Sequence, residues 1–93
     1  MNNPGSFVGV GFGNVVNRDK IVSIVGTEAA PIKRMIQNAR DEGRAIDATC
    51  GRRTRSVLVM DSGFLVLSAL TTDTLAGRCR GRIEERGEEE YEA

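Results

Sequence analysis

Two stretches late in the chain, Val57 to Met60 (VLVM) and Phe64 to Leu67 (FLVL), are apolar at every position rather than at every second one. A strand with one wet face alternates, so both runs read as strands that need cover on both faces. Asp61, Ser62 and Gly63 between them are a hairpin signal, which predicts strands over Ser56 to Met60 and Phe64 to Leu70. The clearest helix lies upstream. Ile32, Met35, Ile36 and Ala39 fall at i, i+3, i+4 and i+7, one apolar stripe to lay against a sheet, with Lys33, Arg34, Gln37, Asn38 and Arg40 on other faces. Pro31 suits the first helical turn, Glu28 favours the positive end of the dipole, and Gly43 stands where a C-terminal cap belongs.

Lys20 to Val25 (KIVSIV) is rich in β-branched residues and reads as a strand ending at Gly26. Phe7 to Gly13 (FVGVGFG) is a first strand or an extended arm, with a turn at Asn14; no helix signal follows its glycines, which sets aside a dinucleotide fingerprint. Ala45 to Cys50 is a short strand candidate. A second helix is expected from Thr72 to about Ile83, capped by Thr71 or Thr72, with Arg78, Arg80 and Arg82 splayed at its solvated end. The pattern therefore predicts an α+β chain: a small, mostly antiparallel sheet with one main amphipathic helix and a shorter C-terminal helix. Two helices give this sheet little cover, so part of it or its edge is expected to be buried against another copy of the chain.

Composition adds an asymmetry that the net charge of zero hides. Residues 1 to 83 carry 12 Lys+Arg against 7 Asp+Glu, whereas residues 84 to 93 carry 1 against 6. That divides the chain into one basic domain, 1–83, and an acidic segment, 84–93, with the composition of a solvated tail. The tail is a candidate electrostatic brake on the basic surface, or a solubility segment.

There is no histidine, so the commonest general base and nucleophile activator is missing and the chain is expected not to be an enzyme. Cys50 and Cys79 are too far apart for a CxxC site, so no metal and no cofactor are expected. No basic leader and no apolar run of about 20 residues points to secretion or a membrane span, and a cytoplasmic location is expected. Asp47 is expected to pair with a neighbouring arginine. Cys50 reads either as a reactive thiol beside Arg52 and Arg53 or as a small strand-end side chain.

The chemistry concentrates in Asp47 to Arg55 (DATCGRRTR), where Arg52, Arg53 and Arg55 lie within four residues, directly between two strand candidates. Arginine is almost never buried without a partner, so a turn at Gly51 carrying three of them faces solvent, an acidic partner or a phosphate backbone. Lys20, Lys33 and Arg34 would join them if strand and helix ends converge. Planar, always-charged donors suit phosphate recognition, and the low aromatic content disfavours single-strand stacking, which leaves duplex backbone contact or a plain solvated turn.

Several strings, GFGN (Gly11 to Asn14), APIKRMI (Ala30 to Ile36), IDAT (Ile46 to Thr49), GRRTR (Gly51 to Arg55), the Val57 to Ser62 strand and Leu67 Ser68 Ala69, resemble the RemA family of bacterial extracellular-matrix regulators over roughly residues 7 to 78. The resemblance implies a DNA-binding transcriptional regulator of biofilm matrix genes, associated with the nucleoid and assembled as a homo-oligomeric ring that holds double-stranded DNA along its rim. It implies DNA contacts at Arg52 and Arg53, with Lys20 where the family carries a strand arginine, and a structural proline at Pro31. Lysine keeps the charge of that arginine but loses its planar fork, and Cys50 stands where the family usually has tyrosine. The alternative to DNA binding is a homo-oligomeric structural or protein-interaction module whose arginines meet acidic protein surfaces.

Overall fold

The doubly apolar strands occupy the centre of the sheet. In the computed structural model, which describes residues 6–80, the elements run β1 (Phe7–Gly11), β2 (Asn14–Asn17), a 3-10 turn (Arg18–Lys20), β3 (Ile21–Gly26), α1 (Ala30–Asp41), β4 (Ala45–Asp47), β5 (Ser56–Met60), β6 (Leu65–Ser68) and α2 (Thr72–Cys79). Strands β3, β5, β6 and β4 form one four-stranded sheet in that order, antiparallel except for the parallel β6–β4 pair. Strands β1 and β2 form a separate antiparallel hairpin.

Alternation along β5 and β6 then assigns two cores. Val57, Leu65 and Leu67 face α1 and bury Ala39, flanked by Ile32, Met35 and Ile36, the stripe expected from the sequence. Leu58 and Val66 point the other way, onto Val10 of β1, Leu75 of α2, Ala48 and Leu70. Val57 and Leu58 are both fully buried within one chain. This corrects the reasoning that two helices leave the central strands short of cover: the β1–β2 hairpin, absent as a layer from the sequence reading, supplies it. Truncating Leu58 to alanine would remove a fully buried side chain, a change that costs about 2–5 kcal/mol.

The boundaries follow local chemistry. Helix α1 opens on Pro31 in its first turn and closes on a Schellman arrangement, with Gly43 at φ 75°, its N–H on the Arg40 carbonyl and the Arg44 N–H on that of Ala39. Glu28 precedes the helix, whose first turn contains no acidic residue. The turn expected at Asn14 falls on residues 12–13, and Asn14 itself starts β2, its side chain donating to the Gly11 carbonyl across the tip. The strand expected over Ala45 to Cys50 stops at Asp47, because Asp47 Oδ1 takes the Thr49 N–H and hydroxyl and turns the chain.

Helix α2 is capped by the Thr71 hydroxyl, which accepts from the Thr74 N–H. Arg78 is not splayed into solvent: its guanidinium donates to the Gly9 carbonyl at 3.1 Å and ties α2 to the hairpin, while Arg18 donates to the Cys79 carbonyl at the helix end. A Cβ on Gly9 would come within 3.3 Å of that guanidinium, so the side-chain-free position permits the tie. Arg82, the expected continuation of the helix to Ile83 and the acidic segment 84–93 lie outside the described residues. No helix among the described residues is long and apolar enough to cross a membrane.

Candidate nucleic-acid interface

The arginine turn is an arch over the end of β6. Its two feet are backbone hydrogen bonds to consecutive residues of that strand, Ala48 N–H to Leu67 O and Arg55 N–H to Ser68 O, each 2.9 Å. Strand β4 lies parallel to β6 on one side and β5 antiparallel on the other, so residues 48–55 have to cross that end. Within the arch Arg52 N–H bonds Thr49 O, and the Thr27 hydroxyl reaches the Thr54 carbonyl from the end of β3. Thr49 itself is buried. The reversal uses two successive left-handed residues, Cys50 at φ 55° and Gly51 at φ 82°. Gly51 adopts this conformation without steric cost, whereas Cys50 does so against the preference of an L residue.

Three arginines leave this braced arch, and none pairs with a carboxylate among the described residues. Arg52 is exposed and its guanidinium lies 5.8 Å from the ring centre of Phe12, at the tip of the β1–β2 hairpin. Arg53 and Arg55 line a cleft of about 520 Å³ bounded by the end of β3 and the starts of α1 and α2. Arg53 is exposed and Arg55 half-buried. Lys33 and Arg34 are exposed on the early turns of α1, which starts at the same cleft.

Lys20 is elsewhere. It ends the 3-10 turn before β3, 3.9 Å from Asp61 and next to the Ile21–Met60 pair, whereas the arch adjoins the Gly26–Ser56 pair. Six residues of strand, about 20 Å, separate it from the arginine end. The structure therefore gathers Arg52, Arg53 and Arg55 with the start of α1 and leaves Lys20 at the other end of the sheet.

Asp47 is a further correction. Its expected arginine partner is replaced by Thr49, whose hydroxyl and N–H hold the Asp47 carboxyl below the usual carboxylate range, with Arg40 adding a smaller pull. Cys50 is an exposed turn residue, not a strand end; burial pushes the half-buried Cys79 thiol up, and both cysteines are free. Phe12 and Thr27 escaped the sequence reading. The GFGN string signalled a turn, but nothing in one-dimensional spacing places residue 12 against residue 52.

The molecule is a small α+β protein that lifts three arginines, without acidic partners among the described residues, on a braced arch. The model of the RemA-like family, extracellular matrix regulatory protein A-like, matches residues 7–79, and the chain belongs to that family. It is 56 % identical over 71 residues to extracellular matrix regulatory protein A of Bacillus subtilis, covering 76 % of this chain and 80 % of that one. A relative from Lachnoclostridium phytofermentans, provisionally named a regulatory protein, is 50 % identical over 86 residues, 92 % of this chain and 94 % of its own. A third, from Carboxydothermus hydrogenoformans and similarly named, is 56 % identical over 72 residues, 77 % and 83 % of the two chains. These are names of regulatory proteins rather than of enzymes.

Proposed function

We propose that the chain is a cytoplasmic, nucleoid-associated transcriptional regulator of extracellular-matrix genes, which binds duplex DNA through arginines repeated on a homo-oligomeric ring. The observation that carries this reading is the arch: Arg52, Arg53 and Arg55 stand without acidic partners among the described residues, on a backbone pinned at both feet, in a chain of this family. Pinning lowers the entropy lost when a guanidinium is fixed on a phosphate. Arg52 and Arg53 make the principal contacts, with Arg55, Lys33 and Arg34 adding charge from the same end.

Lys20 fits this reading only with more than one copy or a long footprint. Standing about 20 Å away along β3, it meets a duplex that passes the whole sheet, or one already held by the arch of a neighbouring copy. Each copy offers few phosphate contacts, so affinity is multivalent and falls steeply with salt. Anisotropy titrations of a promoter-length duplex at several salt concentrations test this. Arg52→Ala with Arg53→Ala is expected to weaken binding by at least tenfold and to flatten the salt dependence; unchanged affinity and slope would refute the reading.

A further inference from the structure

We propose that the cleft between the end of β3 and the starts of α1 and α2 is a phosphate seat, gripped by Arg53 and Arg55 and restrained by the carboxylate of Glu28. Arg53 and Arg55 stand two residues apart in the segment that leads into β5, and both line the cleft. Arg55 is half-buried, yet its guanidinium has no hydrogen-bond or carboxylate partner among the described residues. Its nitrogens are not sealed from solvent either, so they are available to the cleft.

The backbone between the two arginines is fixed from both sides, by Arg55 N–H on Ser68 O and by the Thr27 hydroxyl on Thr54 O. Planar guanidinium forks on a fixed backbone match the geometry of a phosphate's oxygens. Thr72, at the start of α2, also lines the wall. The volume, about 520 Å³, is that of a small-molecule site and has room for a phosphate ester as well as the bare anion.

Glu28 lines the same cleft but forms no ion pair with either arginine. It subtracts from the field that a phosphate meets and sets the affinity below what two arginines alone would give. The phosphate can come from a duplex backbone or from a free phosphate ester. Only the first source rests on the function proposed above.

The test follows the 31P line width of inorganic phosphate added to the full chain, at constant ionic strength maintained with sodium chloride. Saturable broadening is expected, with an apparent Kd raised about tenfold by Arg55→Ala, the loss of one charge-assisted contact, and lowered by Glu28→Gln. The tightening cannot arise from a misfolded variant. Broadening that is identical in Arg55→Ala and the parent chain, or a Glu28→Gln variant that binds no tighter, would overturn the seat.

Duplex anisotropy with the same variants separates the sources. Displacement of duplex by phosphate, together with weaker duplex binding by Arg55→Ala, assigns the seat to a backbone phosphate. Phosphate binding that leaves the duplex in place, with Arg55→Ala silent toward DNA, assigns it to a free ester. If Arg52→Ala with Arg53→Ala abolishes duplex binding while Arg55→Ala and Glu28→Gln are silent in both assays, the seat fails and the DNA reading stands. A phosphate-binding chain that binds no duplex at all leaves the seat and removes the DNA reading.

Discussion

Phe12, from the hairpin tip, and Asp47, at the start of the string, hold the arginine arch. Phe12, itself left-handed at φ 53°, puts its ring 5.8 Å from the Arg52 guanidinium and so links the hairpin tip to the arch. An exposed cation–π contact contributes roughly 0.5–1 kcal/mol. Phe12→Leu is therefore expected to weaken duplex binding about two- to fivefold in anisotropy titrations, and Phe12→Tyr to restore it. A Tyr variant as weak as Leu would show that the ring face is not what orients Arg52. Asp47 gives a pH signature. Its folded pKa is depressed by Thr49, so its contribution to stability is present above the unfolded value of about 3.9 and is lost as pH falls through the lower folded value. Asp47→Asn keeps an acceptor oxygen but not the titration. Thermal melts of both proteins between about pH 2.5 and pH 6 should show a stability gap at the upper end that closes at the lower.

At the scale of elements, the arch depends on β6 more than on its own residues. Its feet are carbonyls of Leu67 and Ser68, and the same stretch receives a buried network in which the Ser68 hydroxyl bonds the Val10 carbonyl and the Ser56 hydroxyl that of Leu70. Hairpin, sheet and arch thus share one support. Within the arch, Gly51 at φ 82° has open space around its missing Cβ, so a substitution there acts through backbone strain alone. Gly51→Ala is expected to cost about 1–2 kcal/mol in chemical denaturation. Its effect on duplex binding should exceed that on stability if the turn's shape is what presents Arg52 and Arg53. The helix stripe, the α1 termini, β5 and the 61–63 turn were all legible beforehand, because each rests on neighbours within a few residues. The β1–β2 hairpin was not: glycines alternating with Phe and Val are compatible with an arm or a strand, and only the packing of Val10 onto Leu58 and Leu75 decides.

For the whole molecule, the sheet buries its centre and leaves its margins apolar. Val22 is 65 % exposed where edge strand β3 bulges, and Ile46, Phe7 and Val15 are about half exposed or more on the other edge and the outer hairpin. One chain covers the sheet faces by itself, so the exposed apolar surface open to a second copy lies at these margins. A bulge on an edge strand impedes simple strand addition, so contact through side chains suits β3 better than a continued ladder. Charge is divided along the sequence as well: residues 1–83 carry 12 Lys+Arg against 7 Asp+Glu, and residues 84–93 carry 1 against 6, which brings the chain to zero net charge.

The sequence by itself determined the α+β class, the helix with its first-turn proline and C-terminal glycine cap, the central strands and the basic turn. Each is written in short-range periodicity or in a local concentration of charge, and the family strings were readable in the same way. Only the tertiary structure decided that Lys20 stands apart from the arch, that Arg78 ties a helix to the hairpin, and that Asp47 serves Thr49 rather than an arginine. It also decided that Arg55 shares a cleft with Glu28. Those relations join residues distant in the chain or choose among several nearby partners, and strand order, register and rotamer settle them where spacing alone does not.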